Sequence, residues 1–182
     1  MDSAYAVGYG VGQLLALLTF LLPAILFLRT QQRVLSAIWP ENRRMHPGLV
    51  WLQLIPLFNY VWTFIVVRRI ADSLAKQYAA FQSDSIFGIP DEAAIKAIGK
   101  RPTYGIGLAY CLLLFSMPLT IIFFNLFGTA TPAAGQAPEN TGFYLALGLS
   151  CFALMLAMFV CWIIYWVQLA ACKKKLGRFA VA

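Results

Sequence analysis

Four long apolar runs organise this chain, and every charged side chain falls in the segments between or beyond them. The first run, residues 4–28 (AYAVGYGVGQLLALLTFLLPAILFL), has 25 residues, where about 20 suffice for a helix to cross the hydrocarbon core. The third and fourth, residues 104–127 and 142–171, have 24 and 30 and contain no Asp, Glu, Lys or Arg. All three read as spanning helices. The first lacks a basic leader before it and exceeds the usual apolar core of a signal peptide, so it reads as an uncleaved span. Between the last two runs, GTATPAAGQAPENT carries no basic residue and reads as a solvated turn.

The second run, residues 47–67 (PGLVWLQLIPLFNYVWTFIVV), is 21 residues long and sufficient to span, yet both flanks are basic. Arg29, Arg33, Arg43 and Arg44 precede it, and Arg68, Arg69, Lys76, Lys96, Lys100 and Arg101 follow. Positive charge collects on the cytoplasmic side, so a crossing would strand one block on the wrong side. Four crossings would also put the N-terminus, which has no Lys or Arg, on the same side as Lys173, Lys174, Lys175 and Arg178. Three spans and one re-entrant hairpin remove both conflicts. Pro56 and Asn59 stand at the centre of the run, where proline breaks a helix by removing a donor and clashing with the preceding turn. Broken backbone at membrane depth needs protein around it to satisfy its polar groups, so such a hairpin is expected between the spans. A Pro-kinked fourth transmembrane helix is the other arrangement the run allows.

Residues 68–101 read as a cytoplasmic helical segment. In RRIADSLAKQYAAF, Ile70, Leu74, Tyr78 and Phe81 form one stripe, with Asp72 and Lys76 paired at i, i+4. A second short helix is expected from Pro90 to Gly99. The fold class is therefore an all-α integral membrane protein, residues 1–182 forming a single membrane domain with an amphipathic cytoplasmic helix. The expected setting is multi-pass in the bacterial inner membrane, with the N-terminus outside and the C-terminus in the cytoplasm.

Composition agrees: 61% of the 182 residues are hydrophobic and 12% charged, against about 25% charged in soluble domains. Mean hydropathy is +0.74. The net charge of +7 comes in short blocks at the ends of apolar runs, the pattern of membrane topology and not of a nucleic-acid-binding face.

Candidate chemistry is sparse. The seven acids, Asp2, Glu41, Asp72, Asp84, Asp91, Glu92 and Glu139, all lie outside the spans, whereas pumps and proton relays place ionisable groups at depth. Cys111, Cys151, Cys161 and Cys172 lack the C-x-x-C spacing of metal or redox sites and read as packing residues. His46 stands alone, and Ser116 and Ser150 have no intramembrane base beside them. No enzyme activity, cofactor or metal is expected. Trp39, Trp51, Trp62, Trp162 and Trp166 suit headgroup anchoring, Trp62 lying deeper.

Association signals are more frequent. Gly8 and Gly12 form a GxxxG pair, Gly105 and Ala109 a small-xxx-small pair, and Gly142, Ala146 and Ser150 a ladder, all spacings that let helix backbones approach in lipid. Packing within the monomer is their first expected use. Gln13, Gln53, Asn59 and Asn125 are amides in apolar surroundings that need partners across helix interfaces. Gln53, Pro56, Asn59 and Asn125 thus mark a polar packing site, or the lining of a small polar cavity.

Residues 42–77, NRRMHPGLVWLQLIPLFNYVWTFIVVRRIADSLAKQ, resemble a segment of small uncharacterised bacterial membrane proteins: a Pro-Gly opening, an Ile-Pro-x-x-Asn centre and a charged helix behind. WIIYWVQLAACKKKL is similar to the last span of such proteins. The resemblance covers about a third of the chain and implies an inner-membrane setting without an activity. The expected function is a non-enzymatic membrane protein working through helix association, as an accessory or structural subunit whose partners are the lipid bilayer and other membrane subunits or itself. A small channel or carrier with a polar cavity is the other class.

Overall fold

The computed structural model describes residues 2–84, 101–127 and 141–179, all of their regular structure helical. Among the described residues there are four α-helices: α1 (Asp2–Ala37), α2 (Phe58–Asp84), α3 (Tyr104–Phe127) and α4 (Thr141–Phe179). Two 3-10 segments, Pro40–Asn42 and Pro47–Leu54, connect α1 to α2. The short helix expected over 90–99 and the connector 128–140 fall outside the described residues.

Two boundaries differ from the sequence reading. Helix α1 runs nine residues beyond the expected end of the first span, into the basic, polar segment between the first two runs. The extension holds because Val34, Leu35 and Ile38 return the apolar period after the arginines, and all three are fully buried. Helix α2 joins the second half of run two to the amphipathic stripe without interruption. The run is therefore divided at its centre, between a 3-10 arm and an α-helical arm.

The core lies at one end of the bundle. Ile70 and Leu74 of the α2 stripe are fully buried and Tyr78 nearly so, with Phe81 packed against the core around them. Burial and the neighbouring Cys172 hold the Tyr78 phenol above its ordinary range. Phe27 of α1 sits edge-on to Tyr110 of α3 and to Trp162, Tyr165 and Trp166 of α4. Val67 of α2 meets this layer at Gly107: a Cβ built there would lie 2.5 Å from Val67 Cγ1 and 2.9 Å from Tyr165 Cε2. Glycine is what lets α2, α3 and α4 approach at this point.

Away from this end the same helices each present an exposed apolar face. Leu15, Leu18 and Leu22 of α1, Leu112, Phe115 and Leu119 of α3, and Leu145, Leu149, Phe152 and Leu156 of α4 are exposed. By length and composition one helix among the described residues, Leu145–Gly177 within α4, meets the measure of a membrane span, with mean hydropathy 2.5 and no buried residue in its most apolar stretch. Tyr104–Thr120 of α3 is a shorter apolar helix.

Candidate functional site

The segment from Trp39 to Asp84 folds into a hairpin. Going down its first arm, Trp39 N–H donates to Gln77 Oε1 at 2.9 Å, Arg44 N–H to Ser73 Oγ at 2.8 Å, and Leu49 O accepts from Trp62 Nε1 at 2.8 Å. Partner numbers fall as the first arm's rise, so the arms are antiparallel and both ends of run two return to one end of the molecule.

Local sequence explains each arm. Pro40 and Pro47 open the two 3-10 segments, where a missing N–H costs nothing and a fixed φ helps. His46 caps the second, its Nδ1 accepting from Gly48 N–H at 3.2 Å. At the tip Phe58 N–H donates to Pro56 O at 2.7 Å and Asn59 N–H to Ile55 O at 2.9 Å. This tight reversal forces Leu57 to φ 64°, a left-handed conformation costly for a side chain with a Cβ. Leu57 is 83% exposed, and Leu54, Ile55, Phe58 and Val61 beside it are exposed as well. The tip is a strained, apolar, uncovered turn.

Between the tip and the basic end, amides hold the hairpin to α1. Gln53 Nε2 donates to Gln31 Oε1 at 2.6 Å and to Val50 O at 3.1 Å. Thr63 Oγ1 contacts Gln53 Oε1 at 3.4 Å, Asn59 O at 2.7 Å and Asn59 Oδ1 at 2.8 Å. Trp51 Nε1 adds a bond to Gln32 Oε1 at 3.0 Å. Higher up, Gln77 Oε1 accepts from Asn42 Nδ2 at 3.1 Å as well as from Trp39. Gln31, Gln53, Thr63 and Gln77 are all buried. Gln31 Nε2 and Gln77 Nε2 meet no partner among the described residues, and a buried unmade donor costs about 1–3 kcal/mol. The amides fix where the hairpin docks at some cost in stability.

Of the residues expected at a polar site, the structure brings together Gln53 and Asn59, with Pro56 at the turn below them. Gln13 is exposed on α1 and does not join, and the Asn125 side chain lies outside the described residues. Gln31, Gln32, Asn42, Thr63 and Gln77 complete the network. The glutamine pair inside the α1 extension is its signal in the sequence, and it lies beyond the expected end of the first span.

The small-residue positions separate in the same way. Gly142, Ala146 and Ser150 are exposed, a Cβ at Gly142 would meet nothing within 4 Å, and Ser150 Oγ bonds only to Leu147 O, at 2.7 Å. Among the described residues nothing packs closely on the ladder. Gly105 is likewise open, and the close approach occurs at Gly107 instead. Gly8 and Gly12 lie on α1, their surroundings outside the described side chains.

Electrostatics gather at the base of the hairpin. Asp72 takes Arg101 at 3.4 Å and Arg68 at 3.9 Å, not Lys76, whose Nζ donates to Glu41 O at 2.6 Å. Arg43 Nε and an Nη donate to Ile38 O and Ser36 O at the end of α1, and an Arg69 Nη to Arg44 O. These cations satisfy helix-end and loop carbonyls and so knit α1, the hairpin and the start of α3 together. Trp51 and Trp166, expected as headgroup anchors, and Trp62, expected deeper, make their indole bonds inside the protein, to Gln32, Thr30 and Leu49 respectively. Among the described residues no three His, Cys, Asp or Glu side chains group as metal ligands.

No family model, curated protein or solved structure matches the chain. The resemblance of residues 42–77 thus rests on its own motif.

Proposed function

We propose that this chain is a non-enzymatic, multi-pass membrane protein that works through helix association, as an accessory or structural subunit or with copies of itself. The arrangement we favour has three spans, within α1, α3 and α4, and a re-entrant hairpin over 47–67 whose apolar tip enters the bilayer from the cytoplasmic side. The observation that carries this reading is the hairpin's return: Arg44 beside Ser73, and Arg101 beside Asp72, bring the described arginines on both flanks of run two to one end. A single positive face opposite bare apolar helices is what one-sided retention of cations requires.

Association is supported by the exposed small-residue face of α4, since in lipid close backbone approach is available there and none of the described residues uses it. The amides favour internal adhesion over a lined passage, because Gln53, Gln31, Thr63 and Asn59 bond to one another. The expected localisation is the inner membrane, N-terminus outside.

Two measurements test the proposal. Alkaline carbonate extraction of membranes should leave the chain in the pellet; release into the supernatant would overturn the membrane reading. Mild-detergent purification with crosslinking should then join α4, through cysteines at Ala146 and Ser150, to a second helix. A monodisperse monomer without such crosslinks contradicts association.

A further inference from the structure

Where α1 and α4 run side by side into the basic end, they enclose a groove of about 550 Å³ lined by Thr30, Arg33, Ala170, Lys173, Lys174 and Gly177. Trp166 Nε1 donates to Thr30 Oγ1 at 2.9 Å and fixes the two helices at its mouth. On α4 the lining residues Ala170, Lys174 and Gly177 share one face by their spacing of four and three. Two of them have almost no side chain, which makes the floor, while Arg33, Lys173 and Lys174 supply three cations. Among the described residues no carboxylate pairs with any of the three: Asp72, the acid in both ion pairs, is taken up by Arg68 and Arg101.

We propose that this groove binds the headgroup of an anionic phospholipid. A concentration of positive charge between helices at the cytoplasmic membrane surface attracts an anion. What selects a lipid over a free phosphate is the continuation of the groove. The face carrying Gly177, Lys174 and Ala170 proceeds along α4 to Val167, Ile163, Phe159, Leu156 and Phe152, all exposed. A phosphate held by the cations has its acyl chains laid on that stripe. The inference rests on the membrane reading above, because the stripe is the site's lower half only if it faces hydrocarbon.

The test uses the purified full chain in a mild nonionic detergent. Short-chain phosphatidylglycerol, phosphatidylcholine and inorganic phosphate are titrated separately, with affinity read from the rise in melting temperature. Phosphatidylglycerol should bind, phosphatidylcholine and phosphate should not match it, and the Arg33→Gln/Lys173→Gln/Lys174→Gln variant should bind roughly a hundredfold more weakly, at about fivefold per basic side chain. Arg29→Gln/Lys175→Gln, basic residues of the same end that do not line the groove, should change binding less than about threefold. Ala170→Trp, which fills the floor and keeps every charge, should weaken it by more than about tenfold.

Equal affinity for phosphatidylcholine, phosphate binding as tight as the lipid, or binding unchanged in either groove variant would overturn the proposal. Lipid-free melting at the wild-type temperature shows that each variant folds. Failure here is distinct from failure of the membrane reading: a chain that stays in the carbonate-extracted pellet yet ignores phosphatidylglycerol sinks only the groove.

Discussion

The basic end and the apolar end of this molecule are made from the same kinds of side chain, arranged to opposite effect. At the basic end Leu35, Ile38, Ile70, Leu74 and Leu169 are fully buried among one another, with glutamines and carbonyl-bound arginines around them. At the other end Leu57, Leu149 and Leu145 stand 83, 69 and 64% exposed. In water the second arrangement would waste the transfer free energy of each leucine, about 1.5–3 kcal/mol apiece, while in hydrocarbon it costs nothing. The difference teaches that the hydrophobic runs are sorted along the molecule: packed against protein where charge is near, exposed where it is not. The hairpin is the element that belongs to both, its base in the amide network and its tip among the exposed leucines.

Substitutions break this comparison in graded ways. The largest loss is expected from Gly107→Leu, which drives a side chain into Val67 and Tyr165 and should cost about 3 kcal/mol in detergent unfolding. The same change at Gly148, where a Cβ meets nothing within 4 Å, should cost none; equal effects at both would mean the tight contact is not there. Next comes Leu57→Asp at the tip. It should alter detergent stability by less than about 0.5 kcal/mol but disfavour the bilayer-inserted form by about 2.5 kcal/mol, measured by partition into vesicles. No change in partition would place the tip in water.

Gln77→Leu strips the acceptor from Trp39 N–H and Asn42 Nδ2 together, and the expected destabilisation is about 2 kcal/mol. A loss below about 0.5 kcal/mol would show the upper anchor of the hairpin to be dispensable. The smallest effect belongs to Trp166→Phe, which removes one bond to Thr30 and keeps most of the aromatic packing against Phe27. Its cost should be near 1 kcal/mol, checked by the same unfolding measurement.

Much of the fold was readable because its causes are local. Proline and asparagine inside an apolar run flanked by arginines point to a reversal there, and Pro56, Leu57 and Asn59 form one. The stripe of Ile70, Leu74 and Tyr78 follows from helical period alone. What was not readable depends on distant partners. Gln31 looks like any polar residue after a span until Gln53, 22 positions on, is folded against it. Gly105 and Gly107 stand two positions apart on one helix, and only the positions of Val67 and Tyr165 on other helices decide which of them must lack a side chain. Asp72 has a correctly spaced lysine on its own helix, but Lys76 is drawn to the Glu41 carbonyl across the hairpin.

The central claim is that run two turns back and brings both its flanks to one side. Single cysteines at Glu41 and Lys76, both exposed, and at position 136 in the connector between α3 and α4, introduced into a cysteine-free background in cells, test it with a membrane-impermeant thiol reagent. The account predicts that 41 and 76 react only after the cytoplasmic face is opened, whereas 136 reacts from outside in intact cells; reaction of 41 and 76 from opposite faces would contradict it.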